Sequence, residues 1–297
     1  MPRSARIDLA QVTRHGEAKP ALRLMESFRA GTDLGNSLKS LAAARKLKNC
    51  RITTLLESGR YHLAQFEAPS VPREERTEAL RWRFKDAVDF PVDSASVGVI
   101  DIPLEGGAAR QAMVYAVAAS LAAVQPVMAA FDAGGLVLEA IDIPELAQRN
   151  VAALFEQENR GLAFLAFDEG GGLLTITYKQ ELYAARRIEV SASQLAEAAA
   201  ERQEALLDRV MLEVQRTLDN FDRQYSFISV AALMVAASPA VPELAPCLSG
   251  NLYVPVHPAD LGEVLDLSAV PELRSNPELQ ARYLSAIGAA LRSEAAT

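Results

Sequence analysis

The sequence predicts an α/β fold with a self-contained α+β unit set into it, and three stretches carry that prediction. Residues 164–187 read as an apolar strand, a tight turn through Asp168-Glu169-Gly170-Gly171-Gly172, and a second strand over 173–178. That second strand is rich in β-branched and aromatic residues, as strands are. Residues 193–225 form the longest predicted helix: Leu206, Val210, Val214, Leu218, Phe221 and Tyr225 mark one face at spacings of three and four, and charges fill the other. From His62 to Ile143 the order is strand–helix–strand–strand–helix–strand, which makes the α+β unit.

At 297 residues the chain accommodates two domains, or one with an insertion. With 50% hydrophobic and 23% charged residues it has an ordinary globular composition. Its net charge of −8 argues against nucleic acid as a partner. The two cysteines, Cys50 and Cys247, lie too far apart in sequence to suggest a zinc site or a disulfide framework, which fits a reducing compartment.

In chain order, 4–14 alternates as a strand and His15-Gly16-Glu17 turns it into a second strand over 20–28. Residues 36–47 make a short amphipathic helix capped by Asn36 or Ser37. Residues 51–57 and 59–66 read as a hairpin turning at Ser58-Gly59. Residues 71–86 are the clearest helix of the first half, with Pro72 in its first turn and Leu80, Phe84 and Val88 on one face. Arg81, Arg83 and Lys85 give it a basic surface, read as a solvated face or, more sharply, as a patch for an acidic peptide or lipid headgroups. Strands follow at 94–103 and 112–117, separated by a flexible Leu104-Glu105-Gly106-Gly107.

Residues 111–131 carry no charge and test the membrane question. Weak hydrophobicity, Pro126 and the flanking strand-like segments favour a buried strand followed by a helix over 120–131 with Ser120 as N-cap. With no apolar core of signal-peptide length at the N-terminus, a cytoplasmic protein is expected. After a strand over 136–143 comes a helix over 144–157. Beyond the long helix, 228–236 is a buried strand, 241–248 a short helix ended by Ser249-Gly250-Asn251, and 252–256 a strand. The last helix, 276–293, has Asn276 as N-cap and Pro277 at its first position.

No H-E-x-x-H, G-x-S-x-G or G-x-x-x-x-G-K-[ST] motif occurs, and His15, His62 and His257 are isolated. Asp101 and Asp142, each flanked by isoleucines, read as strand-end carboxylates. An acidic residue and three glycines between two strands have the shape of a phosphate-approach hairpin, because glycine lets backbone N–H groups come close to an anion. The plain alternative is a tight turn.

Several blocks together resemble one family. VPREERTEALRWRFKDAVDFPVDSASVGVIDIP, FDEGGGLLTITYKQELYAARRIEV, VMLEVQRTLDNFDRQY and LQARYLSAIGAALR are similar, in order, to segments of the PilM/MshI family, with the MshI-like branch the better fit. These are actin-like cytoplasmic proteins of type IV and MSHA pilus assembly, related in fold to FtsA. The resemblance implies a two-lobed, actin-like (ribonuclease H-like) ATPase fold with an inserted α+β subdomain. Residues 1–61 would be a first-lobe subdomain, 62–143 the insert, 144–160 a linking helix returning to the first lobe, and 161–297 the second lobe.

The same resemblance makes Asp168, Gly170, Gly171 and Thr175 the remnant of the second phosphate hairpin. Two further nucleotide-binding elements depart from the pattern. ARIDLAQVTR aligns with the family's second strand, with no D-x-G before Gly16, so the first phosphate hairpin is either missing or lies upstream of a misplaced start. The glycine-rich adenosine turn reads Ala236-Ala237-Ser238-Pro239. The expectation is therefore no catalytic residue, no metal and no required cofactor, with ATP and Mg²⁺ as the alternative in which Asp168 holds the metal or a water. The implied role is an adaptor peripheral to the inner membrane. It would bind the N-terminal cytoplasmic peptide of a PilN-like membrane protein and meet other assembly-platform proteins, with type II secretion as the other apparatus it could serve.

Overall fold

The computed structural model describes residues 6–16, 18–31, 33–103, 111–168 and 170–293. Glu17 of the first turn, Glu169 of the glycine turn and the 104–107 connection expected to be flexible lie outside the described residues. The chain divides into two compact units: Phe28–Pro144 with the start of the first strand, and Asp8–Ser27 with Glu145 onward.

In the first unit, α1 (Leu34–Arg45) begins before the expected Asn36 or Ser37. Asp33 is the N-cap: its Oδ1 accepts from Asn36 N at 3.0 Å, while the Ser37 hydroxyl donates to Asp33 O at 2.9 Å. The turn at Gly59 exists, with φ +84° and Arg60 N donating to Glu57 O at 3.0 Å, but it does not make a hairpin. β3 (Ile52–Leu55) pairs parallel with β7 (Leu138–Asp142), whereas β4 (Tyr61–Glu67) joins an antiparallel sheet of order β4-β6-β5 with β5 (Ser96–Ile102) and β6 (Met113–Ala119). The chain thus leaves one sheet for another at Gly59.

The helix expected over 71–86 is only α2 (Arg76–Arg81), flanked by 3₁₀ turns at Arg73–Glu75 and Trp82–Phe84. Tightening into 3₁₀ geometry is a common way to use the last carbonyls of a helix. Leu80 and Phe84 are buried as expected, and Phe84 meets His62 and Phe66 edge-on at 5.9 and 5.3 Å. Of the expected basic surface, Arg83 and Lys85 stay exposed, as a solvated face requires, while Arg81 is drawn inward. Arg76 pairs with Asp101 at 2.5 Å, and the Arg81 guanidinium donates to the Val92 and Ala95 carbonyls. α3 (Leu121–Ala133) is capped by Ser120, whose Oγ accepts from Ala123 N at 3.2 Å. Among the described residues no helix is long and apolar enough to cross a membrane.

In the second unit, β1 (Arg6–Thr13) and β2 (Ala21–Arg29) form a two-stranded sheet. β2 is tied to a later loop: Leu22 N donates to Asp266 O at 3.0 Å, and Asp266 N to Pro20 O at 2.9 Å. The main sheet has order β10-β9-β8-β11-β12, from β8 (Gly161–Asp168), β9 (Gly171–Tyr178), β10 (Glu181–Ile188), β11 (Val230–Ala237) and β12 (Val256–Pro258). β8, β9 and β10 are antiparallel, and β11 runs parallel to β8 and β12. β9 and β10 turn through Lys179 and Gln180, both at positive φ, as a two-residue hairpin turn requires.

The expected strand at 252–256 is thus mostly displaced to Val256–Pro258, and the short helix to α7 (Leu244–Asn251), which runs through Gly250 instead of stopping there. The long helix splits into α5 (Ala192–Glu197) and α6 (Ala200–Gln224), because Ala198 and Ala199 are extended. Val210, Val214, Leu218 and Phe221 are buried as the spacing predicts, but Leu207 takes the place expected for Leu206.

The 144–157 helix is α4 (Pro144–Ala152). It belongs to this second unit, together with residues 8–27. Val151 and Ala152 of α4 and Ala281, Leu284 and Ile287 of α8 (Pro277–Ala290) share one core with Phe164, Met234 and Ala236. Asn276 caps α8 as predicted, its Oδ1 accepting from Leu279 N at 2.9 Å.

Just after α4, burial pushes the Glu156 carboxyl above its ordinary pKa, against the opposing bonds from Thr177 and the Gln180 amide. A raised carboxylate pKa means that the fold binds the proton more tightly than the unfolded chain, so ionisation at neutral pH costs stability. Replacing Glu156 with Gln keeps an oxygen for Gln180 N, 2.8 Å away. E156Q is expected to raise the melting temperature at neutral pH. The gap should close as pH falls through the raised pKa, where wild type is also neutral; thermal melts across pH read this directly.

Candidate functional site

Three of the four predicted site residues meet at one turn. Along β8 and β9 the register runs from Leu162 opposite Thr177 to Asp168 opposite Gly171. Asp168 is exposed, and its Oδ1 accepts from Gly170 N at 2.7 Å, the side-chain-to-backbone closure typical of Asp in turns. The Gly170 amide is therefore engaged by the carboxylate. Gly171 sits at φ +121°, and a Cβ there would stand 2.8 Å from the Ile188 carbonyl oxygen. A Cβ on Gly172 would stand 2.5 Å from the Phe167 ring. Packing against β10 and Phe167 accounts for both glycines.

Thr175 does not belong to the turn. It is fully buried in β9, and its Oγ1 accepts from Gln148 Nε2 at 3.0 Å. The same amide nitrogen lies 2.8 Å from Phe164 O and 2.9 Å from Leu173 O. Gln148, at 3% exposure, fastens α4 to both β8 and β9. One helical turn earlier, the buried Glu145 pairs with Arg187 of β10 at 3.0 Å. These two residues of α4 are the polar hub under the sheet. In sequence the only trace is a Glu and a Gln three apart among the apolar positions of a short helix, a pattern shared by ordinary surface helices.

The predicted adenosine turn follows β11. Its strand pairing with β8 runs to Ala237 opposite Phe167, and Ser238 N continues it by donating to Phe167 O at 3.0 Å. Ala236 and Ala237 are the last residues of β11, so of the predicted turn only Ser238-Pro239 lie beyond the strand, and none of the four residues is glycine. Of the strand-end carboxylates, Asp101 pairs with Arg76, and buried Asp142 accepts from Ile143 N at 2.9 Å. Among the described residues no group of three or more His, Cys, Asp or Glu could hold a metal ion.

No family model matches the chain, and no curated protein does. Solved structures do. The PilM–PilN type IV pilus biogenesis complex aligns with a TM-score of 0.75 at 22% identity, covering 98% of this chain and 96% of that one. The cytoplasmic domain of EpsL, an inner-membrane component of the type II secretion system of Vibrio cholerae, follows at 0.47 and 14%, covering 93% and 95%. A Bacteroides thetaiotaomicron protein with an actin-like ATPase fold follows at 0.44 and 9%, covering 93% and 95%. The first carries the assignment: the chain has the actin-like α/β fold.

Proposed function

We propose that this chain is a non-catalytic, actin-like adaptor of a pilus assembly platform, of the MSHA-type branch, that works at the inner membrane by binding the N-terminal cytoplasmic peptide of a PilN-like membrane protein. The observation that supports the partner most is near end-to-end likeness to a structure solved as a PilM–PilN complex. The inserted sheet suits the task chemically. Its order β4-β6-β5 leaves β4 and β5 as edge strands, and an extended peptide binds such an edge by adding a strand.

The residues of the expected nucleotide site fit nucleotide poorly. Asp168 and the Gly170 amide bond each other, Thr175 is committed to Gln148, and Ala236–Pro239 cannot admit a base as glycines would. These observations favour an adaptor over an ATPase or switch. When bound in actin-like folds, Mg-ATP supplies a transferable phosphoryl group; here Asp168 is the exposed carboxylate among the described residues of the turn that it would meet.

Co-purification tests the partner. The full chain, expressed with a PilN-like membrane protein, is expected to co-elute from detergent extracts. Deleting that protein's N-terminal cytoplasmic residues is expected to abolish the association. Co-elution that survives the deletion would contradict the peptide reading.

A further inference from the structure

The first unit has a cationic end that the peptide reading does not use. From Leu34 to Arg51 the sequence holds Lys39, Arg45, Lys46, Lys48 and Arg51 and no acidic residue, in a chain of net charge −8. Lys39, Arg45, Lys46 and Lys48 are all exposed, and Arg51 pairs with Glu139 of β7, its Nε 2.6 Å from Oε2.

That pairing, with Ile52 opposite Leu138, ties the segment after α1 to the start of β7. The α3–β7 connection, Gly134-Gly135-Leu136-Val137, emerges there. Val137 is 82% exposed, the highest value among the exposed large hydrophobics. Gly135 stands at φ +66°, where nothing would meet a Cβ. The other end of α1 reaches the same connection: a Cβ on Gly35 would touch Ala133 Cβ at 2.8 Å, and one on Gly134 would touch Leu38 Cβ at 2.9 Å. In the second half of α3, towards the connection, Met128 is 51% exposed, on a helix whose one charge is Asp132. Asp33, the α1 cap, and Glu139, the partner of Arg51, are further exposed acids here.

We infer that this end of the first unit docks directly on an anionic phospholipid surface, with exposed Val137 as the apolar contact and exposed Lys39, Arg45, Lys46 and Lys48 as the cationic ones. Long, exposed cationic stems read a diffuse negative charge, and an apolar tip enters the headgroup layer, a division of labour shared by peripheral membrane proteins. A discrete acidic peptide is the poorer fit. The cations belong to one helix and the short turn after it, and the exposed side chain of the adjoining α3–β7 connection is aliphatic, not polar. The inference is independent of the PilN-like partner.

Co-sedimentation of the purified full chain with vesicles tests it. Binding is expected to phosphatidylcholine vesicles containing phosphatidylglycerol and not to phosphatidylcholine alone, and to vanish when salt shortens the Debye length to about 3 Å. Each of K46Q and K48Q should weaken binding about fivefold, the worth of one lysine at an anionic surface. V137D should abolish it, with an unchanged melting temperature showing that the fold persists. Absence of binding at low salt, equal binding to both vesicle types, or binding indifferent to K46Q/K48Q would overturn the inference. So would capture of polyglutamate with vesicles ignored.

Discussion

Gly288→Ala is expected to unfold the second unit or nearly so. An added Cβ would stand 2.1 Å from the Ala147 carbonyl oxygen and 3.0 Å from its Cα, so backbone meets backbone where α8 crosses α4. No side-chain rotation relieves such a contact. The helices would have to part, breaking the 2.9 Å bond from Asn150 Nδ2 to Gly288 O and opening the core around Leu284 and Ile287. Overpacking a close-packed core costs about 1–3 kcal/mol, and a contact with immobile backbone belongs at or above the upper end. The expected result is little soluble protein, or a melting temperature lower by about 10 °C. Gly250→Ala is the control. Gly250 lies in α7 with open space at its Cβ, so alanine's higher helix propensity should add about 0.5 kcal/mol. One substitution in two helical glycines thus gives opposite signs, readable in a pair of thermal melts.

Gln148→Leu is the second large effect. The leucine fills most of the volume but removes the donor shared by Phe164 O, Leu173 O and Thr175 Oγ1. A buried polar group left without its partner costs about 1–3 kcal/mol, and three groups lose one here, so a loss of about 3 kcal/mol is expected. Thr175→Val alone should cost less, because the amide keeps two carbonyls. The double variant should recover part of the Q148L loss, since it removes the stranded hydroxyl; a double-mutant cycle by urea denaturation measures that coupling. Were Thr175 instead a ligand contact, T175V would leave stability untouched and Q148L would show no coupling to it.

Periodicity made much of the fold legible. The buried stripe Val210–Val214–Leu218–Phe221, the caps at Ser120 and Asn276, and the β8–β9–β10 meander follow from local patterns that the structure keeps. The failures have one physical origin, which is partners distant in sequence. Gly59 makes a genuine turn between two strands, yet β3 waits for β7 and β4 for β6. Gly250 and Gly288 look alike in sequence, and only Ala147 tells them apart.

The glycine turn was readable as a turn. What sequence could not reveal is that Gly171 and Gly172 answer to Ile188 and Phe167, and Thr175 to Gln148. Those contacts convert a phosphate-loop pattern into packing. The basic face of the first-half helix was legible in part: Arg83 and Lys85 are exposed as a solvated face, whereas the Val92 and Ala95 carbonyls take Arg81.

The most direct measurement is isothermal titration calorimetry of the full chain with a synthetic peptide of the PilN-like protein's N-terminal cytoplasmic residues, with and without Mg-ATP. The adaptor account predicts micromolar peptide binding of the same affinity in both conditions, no heat from Mg-ATP alone, and no change in D168A. Mg-ATP binding abolished by D168A, or a peptide that binds only in the presence of Mg-ATP, would contradict it.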